Sequence, residues 1–160
     1  MSQQSISRPA PVEGEGRLAG SYTLPGGDPV EDRAGPMYER DADGETRCAM
    51  EILPHHCNTG GIAHGGLMMT FADYATFAIA RRAIGGPGGA TVSMHHDFCA
   101  PARVGDLLEA QAEVVRETGS MVFMRGQLYV GNTTVLSFST VIKKARRKLL
   151  CLTLNGRSAM

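Results

Sequence analysis

The sequence predicts an α+β domain in which one curved antiparallel β-sheet wraps a single long α-helix. Three observations predict it. Gly66–Ile84 is a long segment without proline and almost without a polar side. Four segments after it, and one before it, alternate apolar and polar residues, as strands with one dry and one wet face do. A helix with no polar face must be enclosed, and a sheet curved around it encloses it with the elements in this order.

Residues 1–30 are rich in Ser, Gln, Pro and Gly and lack periodicity, which predicts a flexible extension. Short structure begins near Val30–Tyr38, and residues 31–148 form the predicted domain. In Thr46–Leu53, Cys48, Met50 and Ile52 share one face, with Arg47 and Glu51 on the other. This is a half-buried strand, and Pro54 ends it. His55–Ala63 is a loop carrying Gly60 and Gly61. The apolar helix follows, and Gly85-Gly86-Pro87-Gly88-Gly89 stops it. Ala90–Cys99 then groups Val92, Met94 and Phe98 on one side, and Asp106–Glu117 groups Leu108, Ala110, Ala112 and Val114. Met121–Val130 groups Val122, Met124, Leu128 and Val130, and Thr134–Ile142 groups Leu136, Phe138 and Ile142. Thr118-Gly119 and Gly131-Asn132 sit where tight turns belong, so the four strands read as a run of hairpins. Lys143–Lys148 (KKARRK) is a basic run, and residues 149–160 read as a tail. A curved antiparallel sheet around one central helix is the hotdog fold.

The 160 residues suffice for one domain with a real core and hardly for two. Sixteen basic and sixteen acidic residues give zero formal charge, so no global field argues for nucleic acid. Cys48, Cys57, Cys99 and Cys151 form no CxxC pair and read as free thiols of a reducing cytoplasm. No signal peptide and no membrane-length apolar run is visible. The adjacent pairs His55-His56 and His95-His96 would point to opposite faces of a strand, which argues against a metal site.

The informative segment runs from Asn58 through Gly60, Gly61, His64, Gly65 and Gly66 to Asp73. Gly65 and Gly66 open the helix, where the first N–H groups lack intrahelical partners and the positive end of the dipole stands behind them. Such N–H groups can serve as an oxyanion hole, or the glycines can simply permit a tight turn. Asp73 is the only charged residue between His64 and Arg81. A carboxylate in an apolar helix is costly unless it is paired or used, so function is favoured over a solvated gap. Asn58 can align a carbonyl or water, or serve the turn before Gly60. His64 can assist through its ring or cap the helix. The eight steps from Gly65 to Asp73 span about 12 Å at ~1.5 Å per residue. One carbonyl cannot easily reach both on one helix. Two antiparallel helices in a dimer would bring each Asp73 to the other's Gly65, giving two composite sites. The helix residues Met68, Met69, Phe71, Ala72 and Phe77 are expected to line the pocket, and methionine-rich walls adapt to several shapes.

At these residues the chain resembles the PaaI-type branch of the hotdog thioesterases, related to the Arthrobacter-type 4-hydroxybenzoyl-CoA thioesterases. The family pattern N-x-x-G-x-x-H-G-G and a later helical acid is met by Asn58, Gly61, His64, Gly65, Gly66 and Asp73. A second stretch, Thr91 to Phe98 and Pro101 with Gly105-Asp106 after it, also fits, so the resemblance covers roughly residues 40–144. It implies an acyl-CoA thioesterase in which the Gly65 N–H polarises the thioester carbonyl and the partner's Asp73 acts as general base or nucleophile. Asn58 would align carbonyl or water, and Thr91, with Ser93 taken to share its face, would help hold the water. Coenzyme A would enter as part of the substrate, with no separate cofactor. Arg103, Lys143, Lys144, Arg146 and Arg147 are candidates for its phosphates, while the KKARRK run also reads as a solvated basic tail. A homodimer is required on this reading, and a tetramer is compatible with it. A non-catalytic acyl-CoA binder and a hotdog dehydratase are the competing expectations. The retained Asp73 argues against the first, and the lack of a dehydratase-like His–acid pair argues against the second.

Overall fold

The structure is a computed structural model, and it describes residues 10–86 and 88–145. It is an eight-stranded antiparallel sheet with a long helix packed against it, the hotdog arrangement. The strands are β1 (Val12–Glu13), β2 (Tyr22–Thr23), β3 (Tyr38–Ala42), β4 (Glu45–Glu51), β5 (Gly89–Phe98), β6 (Leu107–Glu117), β7 (Met121–Val130) and β8 (Thr133–Lys144). The helices are α1 (Pro29–Ala34), α2 (Gly65–Ile79) and α3 (Arg81–Ile84). The strand order is β1-β2-β3-β4-β6-β7-β8-β5. Among the described residues no helix is long and apolar enough to cross a membrane.

The alternating patterns translate into burial. Cys48, Met50 and Ile52 of β4 and its end are buried, as are Leu108 and Ala110 of β6, Val122, Met124 and Leu128 of β7, and Leu136, Phe138 and Ile142 of β8. Against this surface α2 buries Met68, Phe71, Ala72, Ala75, Thr76 and Ala78. The Thr76 hydroxyl donates to the Ala72 carbonyl at 2.8 Å, which satisfies the one polar group on that side. Gly126 interrupts the dry face of β7 for a steric reason. A Cβ there would lie 2.5 Å from the Phe138 ring and 2.7 Å from Ala112 Cβ, so glycine makes room for the ring on the neighbouring strand.

Three sequence expectations are corrected. The strands do not form one run of hairpins. The β6–β7 and β7–β8 pairs do, but β5 lies at the sheet edge beside β8, and β6 joins β4. The segment between β5 and β6 crosses the end of the domain, tied down where Ala63 N–H donates to Ala102 O and Ile52 N–H donates to Asp106 O. The helix expected to run to Ile84 breaks at Ala80, and Arg81 beyond the break bonds both carboxylate oxygens of Glu39, at 2.7 and 2.6 Å.

The third correction concerns residues 1–30, where the expected flexible extension carries short structure from Val12 onward. β1 pairs β2, β2 pairs β3, and α1 packs on α2. Local chemistry explains the helix: the Asp28 carboxylate accepts from the Val30 and Glu31 N–H groups, and Pro29 sits at the first helical position. Asp43-Gly44, both at positive φ, turn β3 into β4.

Candidate active site

The N-terminus of α2 is built by the loop before it. Asn58 Oδ1 accepts from the Gly60 N–H at 2.9 Å and the Ile62 N–H at 3.4 Å, and Gly61 takes a positive φ within this turn. His64 caps the helix: its Nδ1 accepts from the Gly66 N–H at 3.0 Å, and its carbonyl accepts from Leu67 and Met68. That leaves Gly65. Among the described residues its N–H forms no hydrogen bond, so of the first four helical donors it is the free one. The Phe98 ring lies over it, 3.1 Å from where a Cβ would stand. A neutral His64 whose Nδ1 accepts carries its hydrogen on Nε2.

Two turns further, Asp73 is half-buried on the side of α2 that the sheet leaves open. The Thr91 hydroxyl donates to its Oδ1 at 2.6 Å, a charge-assisted bond that fixes the carboxylate and leaves Oδ2 available. β5 runs alongside α2, with Thr91 touching Asp73 at one end and Phe98 covering Gly65 at the other. Between them His96 has a buried Nε2 with no hydrogen-bond partner. Burial lowers its proton affinity, and the negative charge of Asp73 opposes that. Sequence reasoning treated His96 only as half of an adjacent pair. The signal that places it is the register His96↔Phe138, which turns it to the face of the sheet that meets the helix.

The other expected residues divide. Met69, 42% exposed, and half-buried Phe77 share the open side of α2 with Asp73 and Gly66, whereas Met68 and Ala72, expected to line the pocket, are buried between helix and sheet with Phe71. Ser93 does not share a face with Thr91. Val92 is an extra residue in β5, a bulge, so Thr91 pairs Ile142 of the dry face and Ser93 pairs Val141 of the other. Arg103 is exposed next to the loop before α2, where it bridges Ile62. Lys143 and Lys144 lie at the opposite end of the domain, beside Ala90 and Gly89, and the Lys144 ammonium is paired with Glu117. Within one chain these cations do not converge. Arg146 and Arg147 lie outside the described residues.

A glycine N–H at a helix start, and a carboxylate held by a threonine on the same open helix side, can polarise a carbonyl and activate water. Comparison with known proteins gives the family. The thioesterase superfamily model matches residues 60–137. A Pseudomonas aeruginosa protein named as an esterase is 39% identical over 115 residues, 71% of this chain and 86% of its own. The chain belongs to the thioesterase superfamily. That membership makes it a thioester hydrolase of the hotdog fold. Human acyl-coenzyme A thioesterase 13 is 31% identical over 83 residues, 51% of this chain, which spans 59% of that protein. Among solved structures, a single-residue mutant of the phenylacetic acid degradation protein PaaI from Thermus thermophilus superposes with a TM-score of 0.64 at 27% identity. It covers 74% of this chain and 100% of its own.

Proposed function

We propose that this thioesterase hydrolyses acyl-CoA esters to free acid and CoA at two composite sites in a homodimer. The observation that carries the proposal is the division of labour on α2. The free Gly65 N–H and the Thr91-held Asp73 lie about 12 Å apart along one axis at ~1.5 Å per residue, too far to act on one carbonyl. The partner's helix, running antiparallel, supplies the missing half to each site. Two features support such a partner: the open side of α2 with Met69, and the free edge of β5 with Val92 and Phe98 more than half exposed.

In each site the thioester oxygen accepts the Gly65 N–H. Water gives a proton to the Asp73 carboxylate as its oxygen bonds the carbonyl carbon. The tetrahedral oxyanion is held by that N–H and the helix dipole, and its collapse expels CoA thiolate, which takes up a proton. Direct attack by Asp73 through an anhydride is the second route open to the same atoms. CoA enters as part of the substrate and no cofactor is needed. The free thiols Cys48, Cys57 and Cys99 fit a cytoplasmic setting.

The test is release of free thiol from short, long and aromatic CoA esters, combined with subunit mixing. Asp73→Asn homodimers, and Gly65→Pro homodimers in which the N–H donor is removed at a first helical position that tolerates proline, are each expected to be inactive, and mixed dimers to regain one working site. Full turnover by Asp73→Asn, or no rescue on mixing well-folded variants, refutes the composite site. CoA-ester binding without turnover in the unmodified protein would establish a non-catalytic binder instead.

A further inference from the structure

β2, the turn after it and α1 fold back over α2 and line a partly open cavity of about 350 Å³ that no part of the mechanism above uses. Its floor is Tyr74 and Phe77 of α2, and Leu24 of the N-terminal segment stands in its wall. Phe77 follows Asp73 by one helical turn on the same open side, so the cavity begins about 6 Å along the axis from the carboxylate. Three carboxylates line it, Glu31, Asp32 and Glu39, against one cation among the described lining residues, Arg81. Arg81 is spent on Glu39, which it holds with two hydrogen bonds. Any further negative charge would therefore meet Glu31 and Asp32 with no free counter-charge. Glu31 already feels this crowding: burial first, then Asp28, Asp32 and Asp73, hold its carboxyl above the usual range.

We infer that this cavity receives the acyl group of the thioester and selects neutral acyl groups of limited size, aryl or short alkyl, over acyl groups that end in a carboxylate. The inference rests on the thioesterase reading above. Each part of it has a cause. The volume lies at the low end of small-molecule pockets, about 300–1,000 Å³, which limits chain length. The aromatic floor favours ring-shaped or compact apolar groups. A terminal carboxylate would lose its water beside acids it cannot pair with, so discrimination comes from repulsion rather than from a better contact with the favoured group.

The test uses the full chain and CoA esters matched in length. kcat/KM for hexanoyl-CoA should exceed that for adipoyl-CoA, which differs by a terminal carboxylate, by more than about tenfold, with benzoyl-CoA on the favoured side. Glu31→Gln should narrow the hexanoyl-to-adipoyl ratio at least about threefold. Leu24→Trp, at an exposed position that leaves folding intact, should fill the cavity and lower turnover of hexanoyl-CoA relative to acetyl-CoA. Equal turnover of hexanoyl- and adipoyl-CoA by the unmodified protein overturns the inference, as does an unchanged ratio in folded Glu31→Gln. Should Glu31→Gln not fold, the unmodified protein's ratio and the Leu24→Trp effect decide. If esters are hydrolysed without this discrimination, only the inference fails. If none is hydrolysed, the thioesterase reading fails and the inference with it.

Discussion

The two sides of α2 are almost equally apolar in sequence and serve opposite ends. Beneath the sheet, Phe71, Ala72, Ala75 and Thr76 are fully buried, and the Thr76 hydroxyl, the one polar side-chain group among them, is satisfied. On the open side, Gly66, Met69, Asp73 and Phe77 stay accessible, and one of them is a carboxylate. The first side is settled by the chain's own packing. The second remains incomplete in one chain and, on the function proposed here, is completed by a partner and a substrate. An apolar helix surface is therefore a statement about being covered, and it does not say by what.

Substitutions that separate the sides test this contrast. The largest effect belongs to Asp73→Asn, which should lower kcat by about 10²–10⁴-fold, the usual reach of a general base, while leaving the melting temperature nearly in place. If the substitution unfolds the protein instead, the two sides are not distinct. Phe71→Ala is the mirror experiment. It should cost about 3–5 kcal/mol of stability in denaturant unfolding, and any activity lost should return when the protein is refolded by stabilising conditions. Thr91→Val comes next. Losing a hydrogen bond to a charged group, about 1.5–3 kcal/mol, predicts a fall in kcat of roughly ten- to a hundredfold, with Thr91→Ser restoring most of it. Met69→Lys should weaken self-association, seen by sedimentation, without changing the fold of the single chain.

The smallest effect is on pH. Burial lowers the proton affinity of His56 and His96 below the ordinary histidine value of 6.5. As pH falls past that value the unfolded chain takes up protons that the folded chain does not, so stability is fully present above it. It declines below, until the folded-state values are passed. The melting temperature should therefore be lower at about pH 5.5 than at about pH 7.5. His56→Gln should shrink the difference while its side chain still accepts from the Leu53 N–H.

Where the sequence was readable follows the same division. Period-two alternation located β4, β6, β7 and β8 closely, because each has one face against the core. It misread β5. The bulge at Val92 changes the phase within the strand, and nothing in the order Thr91-Val92-Ser93-Met94 announces it. It also could not see that β5 pairs β8 rather than its neighbour in the chain, since strand order is a property of long-range packing. The N-terminal elements are too short for periodicity. Their signals were punctuation, Asp28-Pro29 as a helix start and Asp43-Gly44 as a hairpin, and both were present to be read. Gly65 and Asp73 stood out because a glycine pair opens the helix and a lone charge interrupts it. The resemblance gave Thr91 a part in holding the water; its contact with Asp73 joins residues far apart in the chain and was not legible in the sequence. Glu31 gave no signal, because its nearness to Asp73 comes from α1 packing on α2.

The distance along α2 between the free Gly65 N–H and Asp73 carries a consequence for how the enzyme behaves in a test tube. On the composite site proposed above, neither copy holds a whole reaction centre. Specific activity then becomes a function of dilution. At concentrations well below the dissociation constant of the pair, the rate per unit volume grows with the square of the protein present, and above it the growth is linear.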